Sequence, residues 1–361
     1  MSLQQPHQAP TRNRRRTSIA LLAVTVIGAV VGSGAVGLAG SAAADPTPSI
    51  SQVRAQVADL QHQAEVATET YNGTRVRLAS ASVMAQATAT RLRQQAHNVQ
   101  VARLALGKLA VETYKAGRLQ TLSLLLDDNA GVALAADQLR TTLTDRQAQG
   151  VAHLAAEQTQ LAHDQAVAAA QQQQLTTSAS QLDALKAQIN AKLAAAQALL
   201  SRLDGTQRAA LLRVSQSLDR QALTALGVQV PSSGSLTCAQ VGIEAPNARA
   251  QTAISFACAQ LGKRYVWGGD GPDVFDCSGL TMRAWGAAGV SLPHFAADQA
   301  QQGTRVSIEA LQPGDLIFFE GSFSHEGMYL GKGLMIHAPH SGDVVRIAPA
   351  RLSSVTAAVH L

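Results

Sequence analysis

Asp276-Cys277-Ser278-Gly279-Leu280 opens an apolar run that continues to Ala288 and stops at Gly289. An apolar run of this length closed by glycine reads as a helix. Cys277 then stands at the helix N-terminus. The unpaired N–H groups and the positive dipole end there favour a thiolate, the reactive form of cysteine. Working outward, residues 248–262 read as a second helix ending at Gly262, and Tyr265-Val266-Trp267-Gly268-Gly269 is turn-rich. Downstream, four segments alternate like strands: Asp315-Leu316-Ile317-Phe318-Phe319, Ser324 to Leu330 ending at Gly331, Gly333 to Ala338, and Val344 to Ile347. The expectation is a compact α+β domain over residues 247–361.

Within that domain His325 and His337 each sit in a strand, with Gly331 to Gly333 as the hairpin turn between them. Adjacent antiparallel strands bring two such imidazoles side by side on one face. His325 is the candidate base for the thiol proton, and His337 the group that holds its tautomer. Taken singly, a cysteine in a helix is usually a small buried hydrophobe and a lone histidine a structural residue. A cysteine heading a helix and two hairpin histidines together make a nucleophile, base and orienter. The geometry this requires is Cys277 facing His325 across a groove open to solvent.

The segments Tyr265-Val266-Trp267-Gly268-Gly269, Asp276-Cys277-Ser278-Gly279-Leu280, Leu292-Pro293-His294, Pro313-Gly314-Asp315-Leu316-Ile317-Phe318-Phe319, His325-Glu326-Gly327-Met328-Tyr329-Leu330-Gly331 and Ile336-His337-Ala338 resemble, in order and spacing, the motifs of the NlpC/P60 family. The resemblance covers about the last 115 residues. It implies a papain-like NlpC/P60 domain, helices packed on a small antiparallel sheet. It also implies cleavage of peptidoglycan stem peptides, often between γ-D-glutamate and diaminopimelate. Cys277 matches the family nucleophile, His325 its base and His337 its third polar residue. Tyr265 matches the tyrosine near the nucleophile, and Asp276 and Ser278 match positions that hold the substrate's N-terminal side. Two residues depart from the pattern. Glu326 stands where the family usually has a small apolar residue, and it should point to the opposite strand face from His325. His294 replaces the common arginine after Leu-Pro.

The middle of the chain is of another kind. No proline occurs between Pro48 and Pro231, and Ala, Gln, Leu, Arg and Thr dominate, a composition largely of helix formers. Ile50, Val53, Val57, Leu60, Ala64, Ala67 and Tyr71 recur at steps of three and four. Leu154, Leu161, Ala168, Leu175, Leu182 and Ile189 lie seven apart. Such stripes ask for a partner helix. The expectation is a long α-helical coiled-coil hairpin preceding the catalytic domain, with arms at 50–113 and about 141–224 and a turn-containing tip between. The region 45–226 is followed by a Gly/Pro/Ser-rich linker at 227–246. Its overall plan resembles the secreted coiled-coil endopeptidases of Gram-positive walls, including the RipA-type and PcsB-type proteins. A spacer or dimerising stalk, a disordered Gln-rich segment, and a regulatory arm that covers the active site or docks on a membrane or divisome partner are the open readings.

Residues 1–44 read as a signal peptide. Arg12, Arg14, Arg15 and Arg16 precede an apolar run from Ile19 to Leu38, and Ala42-Ala43-Ala44 supplies the small-residue cleavage site. The alternative is an uncleaved membrane anchor. A secreted, wall-associated protein is expected. Four of the formal charges behind the net +5 belong to the signal arginines, which leaves no electrostatic case for nucleic acid. Three cysteines in an exported chain suggest one disulfide, for which Cys238 and Cys258 are candidates, and one free thiol. No cofactor is implied. A zinc site from Cys277, His325 and His337 is disfavoured, because His325-Glu326 lacks a second histidine at helical spacing. The rival to an enzyme is a non-catalytic scaffold that only binds wall peptides.

Overall fold

A computed structural model describes residues 49–124, 130–229 and 235–361. The export segment read at 1–44 lies outside the described residues. Two long helices, α1 (Ile50–Leu124) and α2 (Ala130–Ser201), pack along one another as the coiled-coil hairpin. At 75 residues α1 is about 110 Å long. The seven-spaced positions Leu154, Leu161, Ala168, Leu175 and Leu182 are half-buried along the seam, and Ile189 is fully buried. Gln95 Nε2 donates to Glu157 Oε2 across the pair at 2.6 Å, and Gln147 Nε2 to Thr113 Oγ1 at 2.9 Å.

Two expectations for the coil need correction. Residues 114–124 and 130–140, expected to belong to a turn-containing tip, are helical; the remainder of that expected tip, 125–129, lies outside the described residues. The returning arm is not continuous. It stops at Ser201, and α3 (Gly205–Ala225) starts afresh. Asp204 caps α3: its side chain accepts from Gln207 N at 2.7 Å, and the Gln207 side chain accepts from Asp204 N at 3.0 Å. This reciprocal box satisfies two donors that a helix start otherwise leaves unpaired. Leu203, in the break, packs into a small core with Val53, Val57 and Ala196.

The segment read as a linker is partly ordered onto the domain. Leu236 and Val241 join its core. The short helix α4 (Cys238–Val241) is tied to α5 (Ala248–Cys258) by a Cys238–Cys258 disulfide. Asn247 caps α5 by accepting from Ala250 N at 2.9 Å. A two-stranded parallel pair, β1 (Arg264–Tyr265) and β2 (Val274–Phe275), leads into α6 (Cys277–Ala287), followed by α7 (Ala296–Gln299). The six-stranded antiparallel sheet contains β3 (Thr304–Arg305), β4 (Leu316–Phe319), β5 (His325–Gly331), β6 (Leu334–His337), β7 (Arg346–Pro349) and β8 (Val355–His360), in the order β3-β8-β4-β5-β6-β7.

Strand alternation sorts the sheet into two faces. Leu316, Phe318, Met328, Leu330, Leu334 and Ile336 pack with Ile254, Phe275 and Trp285 in the main core. Ile317, Phe319, Tyr329 and Met335 form a second cluster on the other face. The large aromatics explain why this domain, and not the coil, has a deep core: Trp285, Phe275 and Phe318 are its largest fully buried side chains.

Candidate active site beneath the coiled coil

Cys277 is the first residue of α6, and Asp276 is its N-cap, accepting from Gly279 N at 2.7 Å. The Asp276 carboxylate is saturated. Its other oxygen accepts from Gly268 N at 2.8 Å, and Oδ1 also meets His294 Nε2 at 2.7 Å. Burial works against a charge on His294, but the charge of Asp276 and the hydrogen bond to it outweigh burial and raise its pKa. His294 thus sets a ring nitrogen against the cap carboxylate.

His325 and His337 come together as the hairpin register requires. His325 Nε2 and His337 Nδ1 are 2.8 Å apart, with ring centroids at 5.1 Å. This leaves His325 Nδ1 buried without a partner, so it is the nitrogen free to take a proton. Desolvation first, then the positive charges of His340 and Arg346, lower His325 to about 4. His337 is lowered well below the usual range by desolvation, then by His325 and Arg346. Burial thus favours the neutral form of both rings.

The thiol is not in a groove open to solvent. Cys277 is buried, and its hydrogen bond is with Glu69 Oε1 of α1, at 3.6 Å. Among the described residues no hydrogen bond joins Cys277 to His325. Glu69 Oε1 also accepts from Ser278 Oγ at 2.7 Å, and Glu69 Oε2 from Ala296 N at 2.7 Å. One turn along α1, Asn72 Nδ2 donates to Asp276 Oδ2 at 2.9 Å and lies 3.4 Å from Ser278 Oγ. Asn72 and Glu69 are themselves joined at 3.2 Å. The coil therefore occupies polar atoms of both Asp276 and Ser278.

Around this plug the fit is close. An added Cβ at Gly73 would lie 2.9 Å from the Phe295 ring, so a side chain there requires the ring or the helix to shift. Glycine in a helix interior costs about 1 kcal/mol relative to alanine, which the contact must offset. Tyr71 meets Trp267 edge-on at 5.3 Å, and Arg77 lies over the Phe295 ring at 5.7 Å. Nearer the coil base, His62 Nδ1 stands 3.2 Å from Glu320 Oε2.

The electrostatics reverse the expectation of a favoured thiolate. Burial, then negative charge whenever it is present on the acids Glu69, Asp276, Glu326 and Glu65, pushes the Cys277 thiol well above its usual range. Desolvation and these negative charges outweigh the helix dipole. Glu69 is raised to about 7 by burial and by Asp276, and Glu65 to about 8 by burial and Glu320. Tyr265 is buried against the same group, its pKa raised by desolvation, then by Cys277 and Asp276. Among the described residues no group of three or more His, Cys, Asp or Glu is arranged to hold a metal ion.

Sequence reading missed Glu69, Asn72, Thr281 and Gln299. A polar residue beside a coiled-coil stripe ordinarily faces water. The usable signal was local: Thr68-Glu69-Thr70-Tyr71-Asn72-Gly73-Thr74 places a glycine and four small polar side chains in one stretch of helix.

Helices packed on one face of an antiparallel sheet, with a free cysteine heading one helix and paired histidines on neighbouring strands, define a thiol-bearing α+β domain. Residues 262–360 match the NlpC/P60 family, and the C-terminal domain is an NlpC/P60 domain. It is 45% identical over 96 residues to a "Probable endopeptidase" of Mycobacterium tuberculosis, covering 27% of this chain and 25% of that protein. It is 46% identical over 91 residues to the "Probable endopeptidase p60" of Listeria monocytogenes, covering 25% and 19%. The match to a "Probable endopeptidase" of Corynebacterium glutamicum is 42% over 108 residues, covering 27% and 51%. The chain thus spans between about a fifth and a half of the length of these relatives. A solved NlpC/P60 family protein from Bacillus cereus is 35% identical, covering 33% of this chain and 41% of that one, with a TM-score of 0.30.

Proposed function

We propose that this protein is a secreted, wall-associated peptidoglycan hydrolase. It is a cysteine endopeptidase that cuts stem peptides, at the γ-D-glutamyl–diaminopimelate bond, and its coiled coil holds the site closed until the arm is displaced. The carrying observation is a single free thiol at the head of α6 in an NlpC/P60 domain whose strands pair two neutral imidazoles. The matched relatives named as endopeptidases support the same reading.

In the released form His325 Nδ1 takes the Cys277 proton, and the thiolate attacks the scissile carbonyl carbon. The C–N bond breaks as His325 returns the proton to the leaving amine. Water, deprotonated by His325, then releases the acyl group and restores the thiol. Ser278, Asp276 and Tyr265 line the substrate's approach, and His337 keeps Nδ1 of His325 free.

The docked arm opposes every step. Glu69 occupies the thiol and the Ser278 hydroxyl, and its surroundings hold the sulfur protonated. Localisation to the wall rests on the export segment at 1–44; among the described residues no helix is long and apolar enough to cross a membrane. A membrane or divisome protein that engages the coil is the proposed trigger.

The test uses full-length protein and purified muropeptides, with products read by mass. Gly73→Leu drives the arm away from Phe295 without touching the site and should cleave faster than wild type, while Gly73→Leu/Cys277→Ala should be inert. Equal rates for wild type and Gly73→Leu would sink the occlusion reading. No new amine from any variant between pH 5 and 8 would leave a peptide-binding scaffold instead.

A further inference from the structure

Glu326 carries an acidic side chain into the main core directly after the candidate base His325. It is fully buried, and strand alternation turns it toward α6, where its Oε1 meets Thr281 Oγ1. Thr281 lies one turn beyond Cys277 on that helix. The same hydroxyl lies 3.3 Å from Cys277 O, 3.0 Å from Ser278 O and 3.0 Å from Gln299 Oε1. Gln299 is oriented by its amide nitrogen, which donates to Ser278 O and to Pro293 O, each at 2.9 Å.

Glu326 Oε2 is buried with no hydrogen-bond partner among the described residues, and an ionised carboxylate buried with an unpaired oxygen is costly. The charged groups facing it point the same way. They are Asp276 and Cys277 from α6 and Glu69 from α1, all acidic. Desolvation first, then Glu69 and Asp276, raise its carboxyl well above the usual range, against the opposing effect of the Thr281 hydrogen bond.

We propose that Glu326 is a positioning residue, held as a neutral carboxylic acid, whose hydrogen bond to Thr281 ties the strand that carries His325 to the first turn of the helix that carries Cys277. The bond sets the spacing of thiol and imidazole. Ionisation adds a negative charge beneath the nucleophile. The inference rests on the peptidase reading for its catalytic consequence but not for its readout on the thiol.

The experiment is run on full-length Gly73→Leu, with Glu326→Gln and Glu326→Leu added separately. Two quantities are followed from pH 5 to 9.5: muropeptide cleavage, and alkylation by iodoacetamide. The latter reports Cys277 alone, because Cys238 and Cys258 are paired. Glutamine keeps a donor to Thr281 at every pH. The Gln variant should stay within about threefold of its parent at pH 6, lose the parent's alkaline decline in kcat, and alkylate at lower pH. The Leu variant should lose about tenfold or more in kcat with little change in KM, the loss of one positioning hydrogen bond. Thr281→Val should cost the same, and no more when combined with Glu326→Leu. Superimposable pH profiles for Gln and parent, or a Leu variant as active as the Gln variant, would overturn the proposal. If no variant cleaves muropeptides, the alkylation profiles still decide the role of Glu326, while the peptidase reading fails separately.

Discussion

The coil and the NlpC/P60 domain are held together by opposite means. The domain buries Trp285, Phe275 and Phe318 completely between sheet and helices. The coil runs along a seam of Leu, Ala and Gln that stays half-exposed over most of its length, with isolated closures at Val99, Ala102 and Ile189. The densest burial on α1, Ala67 to Thr74 without Thr70 and Tyr71, faces the NlpC/P60 domain and not α2 alone. The coil thus gains its tightest packing from the element it covers. One region is stable by its own composition, and the other is stable in part by docking.

The contrast is broken most strongly by Trp285→Ala. Removing this side chain should destabilise the domain by about 3–5 kcal/mol. Denaturant melts followed by aromatic fluorescence should move far more than those followed by helical circular dichroism. Coincident transitions would show that coil and domain unfold as one unit. Next in size, Gly73→Leu should speed iodoacetamide labelling of Cys277 by about ten- to a hundredfold, a shift of about 1.4–2.7 kcal/mol in docking. The domain's melting midpoint should stay in place.

The pH dependence of docking sharpens the same point. Glu69 is raised to about 7 when docked, from 4.5 when free. The docked arm therefore keeps a proton that the free arm gives up, so docking is strongest below about 4.5 and weakens as pH climbs to about 7. The labelling rate of wild type relative to Gly73→Leu should rise across that window by about tenfold or more. Glu69→Gln should reduce that rise, leaving the part that Glu65, raised to about 8 in the docked arm, contributes with the same sign. Smallest of all, Gln95→Ala removes a bond within the coil, and should lower the coil's stability in a thermal or denaturant melt by about 1 kcal/mol or less without altering labelling.

Much of this was legible before the structure. The helix headed by Cys277, the hairpin pairing of His325 with His337, and the seven-residue stripe from Leu154 to Ile189 follow from periodicity and turn residues, which are local signals. The break at Asp204 was legible in principle, since Asp204 and Gln207 spell a capping box, but the surrounding helix formers concealed it. Strand β8, which sits beside β4, escaped because Val355–His360 carries two alanines and no alternation. The contacts of Glu69 with Cys277 and of Glu326 with Thr281 could not be read at all. They join residues 208 and 45 positions apart, and no local rule distinguishes a glutamate that will be buried from one that will face water.

The capped break at Asp204 has a mechanical meaning. Arg346 holds α3 to β7 through Asp219 at 2.8 Å, and Leu223 is sunk in the main core, so α3 stays with the domain. Beyond the break, α1 and α2 pack along one another as a long rod. The plugging turn at Glu69 lies roughly 30 Å along that rod, and the far end of α1 roughly 110 Å along it. A sideways push at the far end thus bears on the plug with about fourfold leverage.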